Sequence, residues 1–148
     1  MVYIHRETLD IIATDLQRIM QSNDYFAVDD LIAPTIQILN RKGYITNFCC
    51  SGHPFTFVTE GYMHDDTERK IFESRGDSCS SYISFDEGIT LPILPPGWVI
   101  DDFENRWLII RKYDYAYYAN SFELSRLIFE AMAQLYQWAF YLPELRTI

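Results

Sequence analysis

The residues best suited to chemistry in this chain lie together in the pentapeptide Cys49-Cys50-Ser51-Gly52-His53. It combines two thiols, a hydroxyl and an imidazole with a glycine, which permits a tight turn at positive φ. Two of the three cysteines and one of the three histidines of the chain are found here. We therefore take this turn as the candidate functional site.

Three interpretations of the turn stay open. In the first, His53 lowers the pKa of the Cys50 thiol, and the two residues are catalytic with Cys50 as the nucleophile. In the second, Cys50 and His53 bind zinc through their C-x-x-H spacing. In the third, the thiols are inert and the turn is structural or cradles a ligand through Ser51 and Gly52. Small buried cysteines are commonly inert, which favours the third interpretation.

The metal interpretation needs further ligands, because zinc takes about four of them, or three and a water. The obvious candidates in the sequence are Cys79, His64, Asp65 and Asp66. No second C-x-x-C or C-x-x-H pair occurs in the chain, so we predict no metal site. His64 lies in a polar stretch over residues 60–78, and loops of that length are often functional. We therefore count His64 with the candidate binding residues.

Length and composition predict a single domain over residues 1–148. The chain is 49% hydrophobic and 16% aromatic, which excludes a disordered protein. Its net charge of −9 repels phosphate backbones, so nucleic acid is disfavoured as a partner. No apolar run approaches the roughly 20 residues that cross a membrane. An odd number of cysteines and the lack of an apolar leader indicate free thiols and a cytoplasmic protein.

Short signatures of the common enzyme classes are missing from the sequence. It contains no P-loop, no G-x-G-x-x-G, no H-E-x-x-H and no G-x-S-x-G. No particular cofactor is therefore indicated.

Apolar periodicity predicts two helices before the turn. Residues 7–21 and residues 30–42 each carry an apolar face at a period of 3.6. The boundary signals of the second helix are Asp29 or Asp30 as its cap, Pro34 in its first turn and Gly43 as its stop.

The remaining pattern predicts strands and one long helix. A strand over residues 44–49 leads into the turn, and residues 55–59 are its expected hairpin partner. Further strands are predicted over residues 80–86, 98–101 and 106–115, and a helix over residues 120–143. The fold class is therefore α+β, with two N-terminal helices, a mostly antiparallel sheet of four to five strands and one long C-terminal helix.

The strand alternation also predicts how the turn is arranged. If the pleat continues to Cys50, its side chain shares a face with Tyr44 and Phe48, and that of Cys49 points to the other face. A disulfide between the adjacent cysteines is therefore not expected. Gly52 is the one residue of the turn that takes positive φ without strain.

The stretch over residues 38–53 resembles two groups of proteins. The first is a group of small uncharacterised bacterial and phage-borne proteins with a Gly-Tyr-x-Thr strand and a Cys-Ser-Gly-His turn. They are similar to this chain also at Tyr-Ile-x-Phe (residues 82–85) and Leu-Pro-x-Leu-Pro (residues 91–95). That resemblance spans most of the chain and implies an origin in a phage or mobile element, with no known activity.

The second resemblance covers about 20–25 residues, the length of one supersecondary unit. It is to the third enzyme of wybutosine synthesis, a methyltransferase that acts on tRNA with S-adenosylmethionine. Cys50, Ser51 and Gly52 match the Cys-Ser-Gly of its Ser-x-Cys-Ser-Gly-Arg turn, and His53 replaces the arginine. The resemblance implies a shared turn geometry.

Two hypotheses about function follow from the sequence. The leading one is a cytoplasmic domain that presents a pocket for a small molecule or a protein partner at the turn from Cys50 to His53. The alternative is an enzyme that uses Cys50 or His53, with a methyltransferase-like reaction as one form.

Overall fold

The computed structural model of the chain describes residues 2–12, 23–52, 79–103, 106–113 and 121–145. Within these ranges the protein has two helices and two antiparallel sheets, which confirms the α+β class. The elements in chain order are β1 (Val2–His5), β2 (Ile11–Ile12), β3 (Tyr25–Val28), α1 (Ala33–Arg41), β4 (Thr46–Cys50), β5 (Cys79–Phe85), β6 (Val99–Phe103), β7 (Arg106–Tyr113) and α2 (Ser121–Tyr141).

The N-terminal segment forms a three-stranded sheet in the order β2-β1-β3. The helix predicted over residues 7–21 is therefore wrong at its start. The chain turns back at Leu9, whose φ is 62°, and β2 then pairs Ile12 with Tyr3. The apolar spacing of Leu9 and Ile12 alone does not distinguish a helix from a short strand that follows a turn. The pairing of β2 with β1 shows that a strand forms. Residues 13–21 of that prediction lie outside the described residues.

The helix predicted over residues 30–42 forms as the shorter α1. Pro34 lies in its first turn, where a missing N–H costs no hydrogen bond, and Gly43 follows its end at a φ of 96°. The predicted side-chain cap is wrong, because Ile32 occupies the N-cap position. The main-chain oxygen of Asp29 accepts a hydrogen bond from the Ile32 N–H at 3.2 Å instead.

The second sheet has four antiparallel strands in the order β4-β5-β7-β6. The strand predicted over residues 80–86 forms as β5, and those over residues 98–101 and 106–115 form the β6–β7 hairpin. Within the described part of the chain, β4 pairs with β5. The predicted hairpin partner over residues 55–59 and the polar stretch over residues 60–78 lie outside it.

The hydrophobic core lies where α1 and α2 pack on the sheets. Its members with no exposed area are Ile4, Ile32, Ile36, Leu39, Tyr44, Ile83, Ile109, Ala131, Leu135 and Ala139. In the part of the chain that the structure describes, the buried hydroxyl of Thr35 is a polar group that makes no hydrogen bond. Among the described residues, neither helix is long and apolar enough to cross a membrane.

The two helices are joined at their carboxyl ends through Lys42, the residue that caps α1. Its ammonium group donates hydrogen bonds to the main-chain oxygens of Ala139, Phe140 and Leu142. The Tyr44 hydroxyl donates to the Pro143 oxygen at 2.6 Å, and the Leu145 N–H donates to the Lys42 oxygen at 2.7 Å. We call the lysine and its three acceptors the carbonyl clamp.

Candidate functional site

The candidate turn begins at the end of β4, where the two adjacent cysteines face opposite sides of the sheet. Cys49 pairs with the fully buried Ile83 and packs against the core, whereas Cys50 pairs with Tyr82. Neither thiol forms a disulfide. The side chains therefore diverge, as strand alternation requires.

A β-bulge near the start of β4 changes the rest of the predicted face. The pairing with β5 shifts between Thr46 and Phe48. Tyr44 is fully buried, whereas Phe48 is 37% exposed. The expectation that these two aromatic side chains share a face is therefore wrong, because a bulge reverses the alternation beyond it.

Ser51 is held in place by a carboxylate from the segment before α1. The Asp29 Oδ2 atom accepts hydrogen bonds from the Ser51 main-chain N–H at 3.0 Å and from its hydroxyl at 3.2 Å. Only 2% of Ser51 is exposed. Hydrogen bonds to an ionised carboxylate are stronger than neutral ones, so this pair fixes the turn against the start of α1.

The other side of Ser51 continues into a buried chain of hydroxyl groups. The Ser81 hydroxyl donates to the Ser51 main-chain oxygen at 2.8 Å and lies 2.8 Å from the Tyr113 hydroxyl. Ser81 and Tyr113 are almost wholly buried. The chain Asp29–Ser51–Ser81–Tyr113 therefore joins the turn to β5 and β7, which leaves it little freedom to move.

Gly52 takes the conformation predicted for it. Its φ is 95°, which side-chain-bearing residues rarely adopt. A Cβ atom at this position would lie 3.0 Å from the Ser81 hydroxyl oxygen and 3.3 Å from the Ile128 Cδ1 atom. Glycine is therefore required here by backbone conformation and by space together.

The surroundings of the two thiols disfavour their ionised forms. Burial, followed by the charges of Asp29 and Cys50, raises the pKa of Cys49 to about 12. Burial also raises the pKa of Cys50, and Asp29 adds to the rise, while the Gly52 N–H, 3.5 Å from the Cys50 sulfur, opposes it. A cysteine nucleophile needs a lowered pKa, so these groups act against that role.

The strand end presents an aromatic pair beside Cys50. The rings of Phe48 and Tyr82 meet edge to face, with centroids 6.1 Å apart. Burial raises the pKa of Tyr82, and the nearby Cys50, Cys49 and Asp29 add to that rise. Burial is therefore the main cause of the raised pKa of Cys49, Cys50 and Tyr82, and the Asp29 carboxylate adds to all three.

The structure brings together three of the five residues proposed from the sequence. Cys50, Ser51 and Gly52 lie in one turn, whereas His53 and His64 lie outside the described residues. In the described ranges no group of three potential ligands could hold a metal ion. Sequence reasoning missed Asp29, Ser81 and Tyr113. Of these three residues, only Asp29 was singled out from the sequence, as a possible cap of the second helix rather than as a partner of the turn.

The chain was compared with protein-family models, with curated proteins and with solved structures, and none of them matches it.

Proposed function

We propose that this chain is a non-catalytic binding module, in which the turn at Cys50–Gly52 forms one wall of a site for a small molecule or a partner. The observation that carries the proposal is that a turn fixed by hydrogen bonds lies next to a partly exposed aromatic pair. Asp29 and Ser81 hold Ser51, while Phe48 and Tyr82 lie at the adjacent strand positions. Such preorganisation lowers the entropy lost on binding.

The electrostatics of the turn favour neutral or cationic ligands with apolar surface. The Asp29 carboxylate is held at the turn, and the whole chain carries a net charge of −9. The turn amides that could receive a phosphate already donate to groups of the protein: Ser51 to the carboxylate and Gly52 to the Cys50 sulfur. An anionic ligand would therefore meet like charge and occupied donors.

The enzyme alternative is weaker on the same observations. Burial and Asp29 raise the pKa of Cys50, which leaves little thiolate for nucleophilic attack at neutral pH. His53 and His64 remain candidate ligand contacts on the grounds of sequence alone.

Three indole compounds that differ in charge test the proposal. The main-chain N–H signals of Cys50, Ser51 and Gly52 are followed by NMR during titration with indole, tryptamine and indole-3-acetate, which are neutral, cationic and anionic. We expect indole and tryptamine to shift these signals and indole-3-acetate to shift them less. Phe48→Ala, which removes a partly exposed ring and leaves the Asp29–Ser51 bonds intact, should weaken the response.

The opposite results are equally informative. If none of the three compounds moves these signals, the turn is not a binding wall of this kind. An equal response to the anion would refute the electrostatic assignment. S-adenosylmethionine is itself cationic, so a parallel titration with it supports the methyltransferase-like alternative only if it gives a saturable shift that indole and tryptamine do not give.

A further inference from the structure

The outward face of α2 carries large apolar side chains toward its carboxyl end. Residues 131–142 contain no charged side chain, although the chain as a whole is strongly acidic. Contiguous large apolar side chains that stay exposed mark an interaction surface. Here three aromatic side chains remain open: Tyr136, Phe140 and Tyr141 are 39, 57 and 80% exposed.

This surface has the spacing of a helix–helix seam. Ala133, Tyr136 and Phe140 follow one another at intervals of three and four residues, on the side of α2 opposite the buried Leu135 and Trp138. A concavity of about 330 Å³ lies between the aromatic side chains and Gln137. We call this surface the aromatic face; its residues are Ala133, Tyr136, Gln137, Phe140 and Tyr141.

We propose that the aromatic face docks a second copy of the chain, with the two α2 helices antiparallel about a two-fold axis between Tyr136 and Gln137. Such an axis places Phe140 of each copy against Ala133 of the other, so a large side chain meets a small one. The antiparallel arrangement also opposes the dipoles of the two helices, which is favourable.

Charges at the two ends of the face complement each other under the same axis. Glu130, an exposed residue, lies as far from the axis on one side as Pro143 does on the other. The carbonyl clamp holds the Lys42 ammonium at that second end, 5.8 Å from the Phe140 ring centroid. Each copy would therefore bring Glu130 toward Lys42 of the other copy.

The uncharged middle of the face suits a self-contact in this protein. Two copies that each carry a net charge of −9 repel each other most where acidic groups meet. The contact itself lies over residues 131–142, which carry no acidic group, and the flanking Glu130 and Glu144 lie only at its ends.

The exposed aromatic side chains supply a large part of the area that a weak dimer needs. With roughly 200 Å² for a fully exposed aromatic side chain, the open fractions of Tyr136, Phe140 and Tyr141 amount to roughly 350 Å² per copy. Specific interfaces begin at about 600 Å² per partner, so the aromatic side chains supply more than half of that minimum. Ala133 and Gln137, which are also exposed, add to the contact, and an interface near the minimum size should dissociate on dilution.

Sedimentation velocity of the full chain over a range of about 5 to 500 µM tests the proposal, because interfaces near the minimum size associate in that range. We expect the mean mass to rise toward twice that of the monomer. Phe140→Glu should weaken the association by at least about 30-fold, the loss of a central interface residue. Ile93→Glu is the matched control. Its side chain is 65% exposed but lies off the face, so association should be unchanged.

Cross-linking tests the arrangement separately. A cysteine introduced by Gln137→Cys lies near the axis, so two copies should form a disulfide under mild oxidation. One introduced by Ala133→Cys lies about 10 Å along the helix from its mate, too far for a disulfide. The wild-type chain reports the background from its native thiols.

Three results would overturn the proposal. One is a chain that stays monomeric over the whole concentration range, and another is a dimer that survives Phe140→Glu. The third is equal cross-linking through the two introduced cysteines, which would contradict the antiparallel two-fold arrangement.

Discussion

Lys42→Met removes the ammonium group of the carbonyl clamp and keeps the length of the apolar stem. The lost group donates to three main-chain oxygens near the end of α2, where carbonyl groups have no partner within the helix. A hydrogen bond to a charged group contributes about 1.5–3 kcal/mol. The three acceptors share one partly exposed donor, so we expect a total loss of about 2–3 kcal/mol rather than the sum. For a chain of this size that corresponds to a fall in Tm of roughly 5–10 °C.

Urea unfolding measures this loss, followed by circular dichroism at concentrations where the chain is monomeric. Arg41→Met is the matched control, because it removes a positive charge from the adjacent residue. Arg41 pairs with Asp10 at 3.6 Å with both side chains at least half exposed, so its loss should cost less than about 0.5 kcal/mol. Equal unfolding free energies for the two variants would refute the reasoning, since the clamp would then contribute no more than a surface ion pair.

Three further predictions concern the turn and the core. Gly52→Ala should lower the free energy of unfolding by about 2 kcal/mol or more, because a close contact adds to the backbone strain at positive φ. Gly88 has a similar φ but open space around it, so Gly88→Ala should lower the free energy of unfolding by only about 1 kcal/mol in the same urea assay. Thr35→Val should stabilise the chain by about 1 kcal/mol, since it replaces an unpartnered buried hydroxyl with a methyl group, and a loss of stability would show that the hydroxyl has a partner in solution. Asp29→Asn should lower the pKa of the Cys50 thiol, visible as thiolate absorbance appearing at lower pH, and an unchanged titration curve would remove Asp29 as a cause.

The pH dependence of stability follows from Cys49. Its pKa rises from an ordinary value of 9.0 to about 12 on folding, so the folded chain holds this proton more tightly than the unfolded chain. The associated stability is complete below about pH 9 and is lost as the pH rises toward 12.

Features of the backbone that depend on residues close in the sequence could be predicted from the sequence. The positive φ of Gly43 and Gly52 follows from the need to end a helix and to close a tight turn. The place of Pro34 in the first turn of α1 follows from its missing N–H.

Features set by distant contacts could not be predicted in this way. The spacing of apolar residues near Leu9 is compatible with a helix. Only the pairing of β2 with β1, which the sequence does not reveal, shows that this segment forms a strand. Asp29 or Asp30 was expected to cap α1, but the carboxylate of Asp29 binds Ser51, which is 22 residues away. The bulge in β4 leaves no mark in composition, yet it separates the environments of Tyr44 and Phe48.

The carbonyl clamp also bears on the rates of folding and unfolding. Its hydrogen bonds join residues 97 to 100 positions apart in the chain. Contacts across so long a loop are costly to close early, so the clamp should be absent from most of the transition state for folding. Its loss would then accelerate unfolding and leave the folding rate nearly unchanged. Lys42 would in that case govern how long a folded molecule lasts rather than how fast it forms.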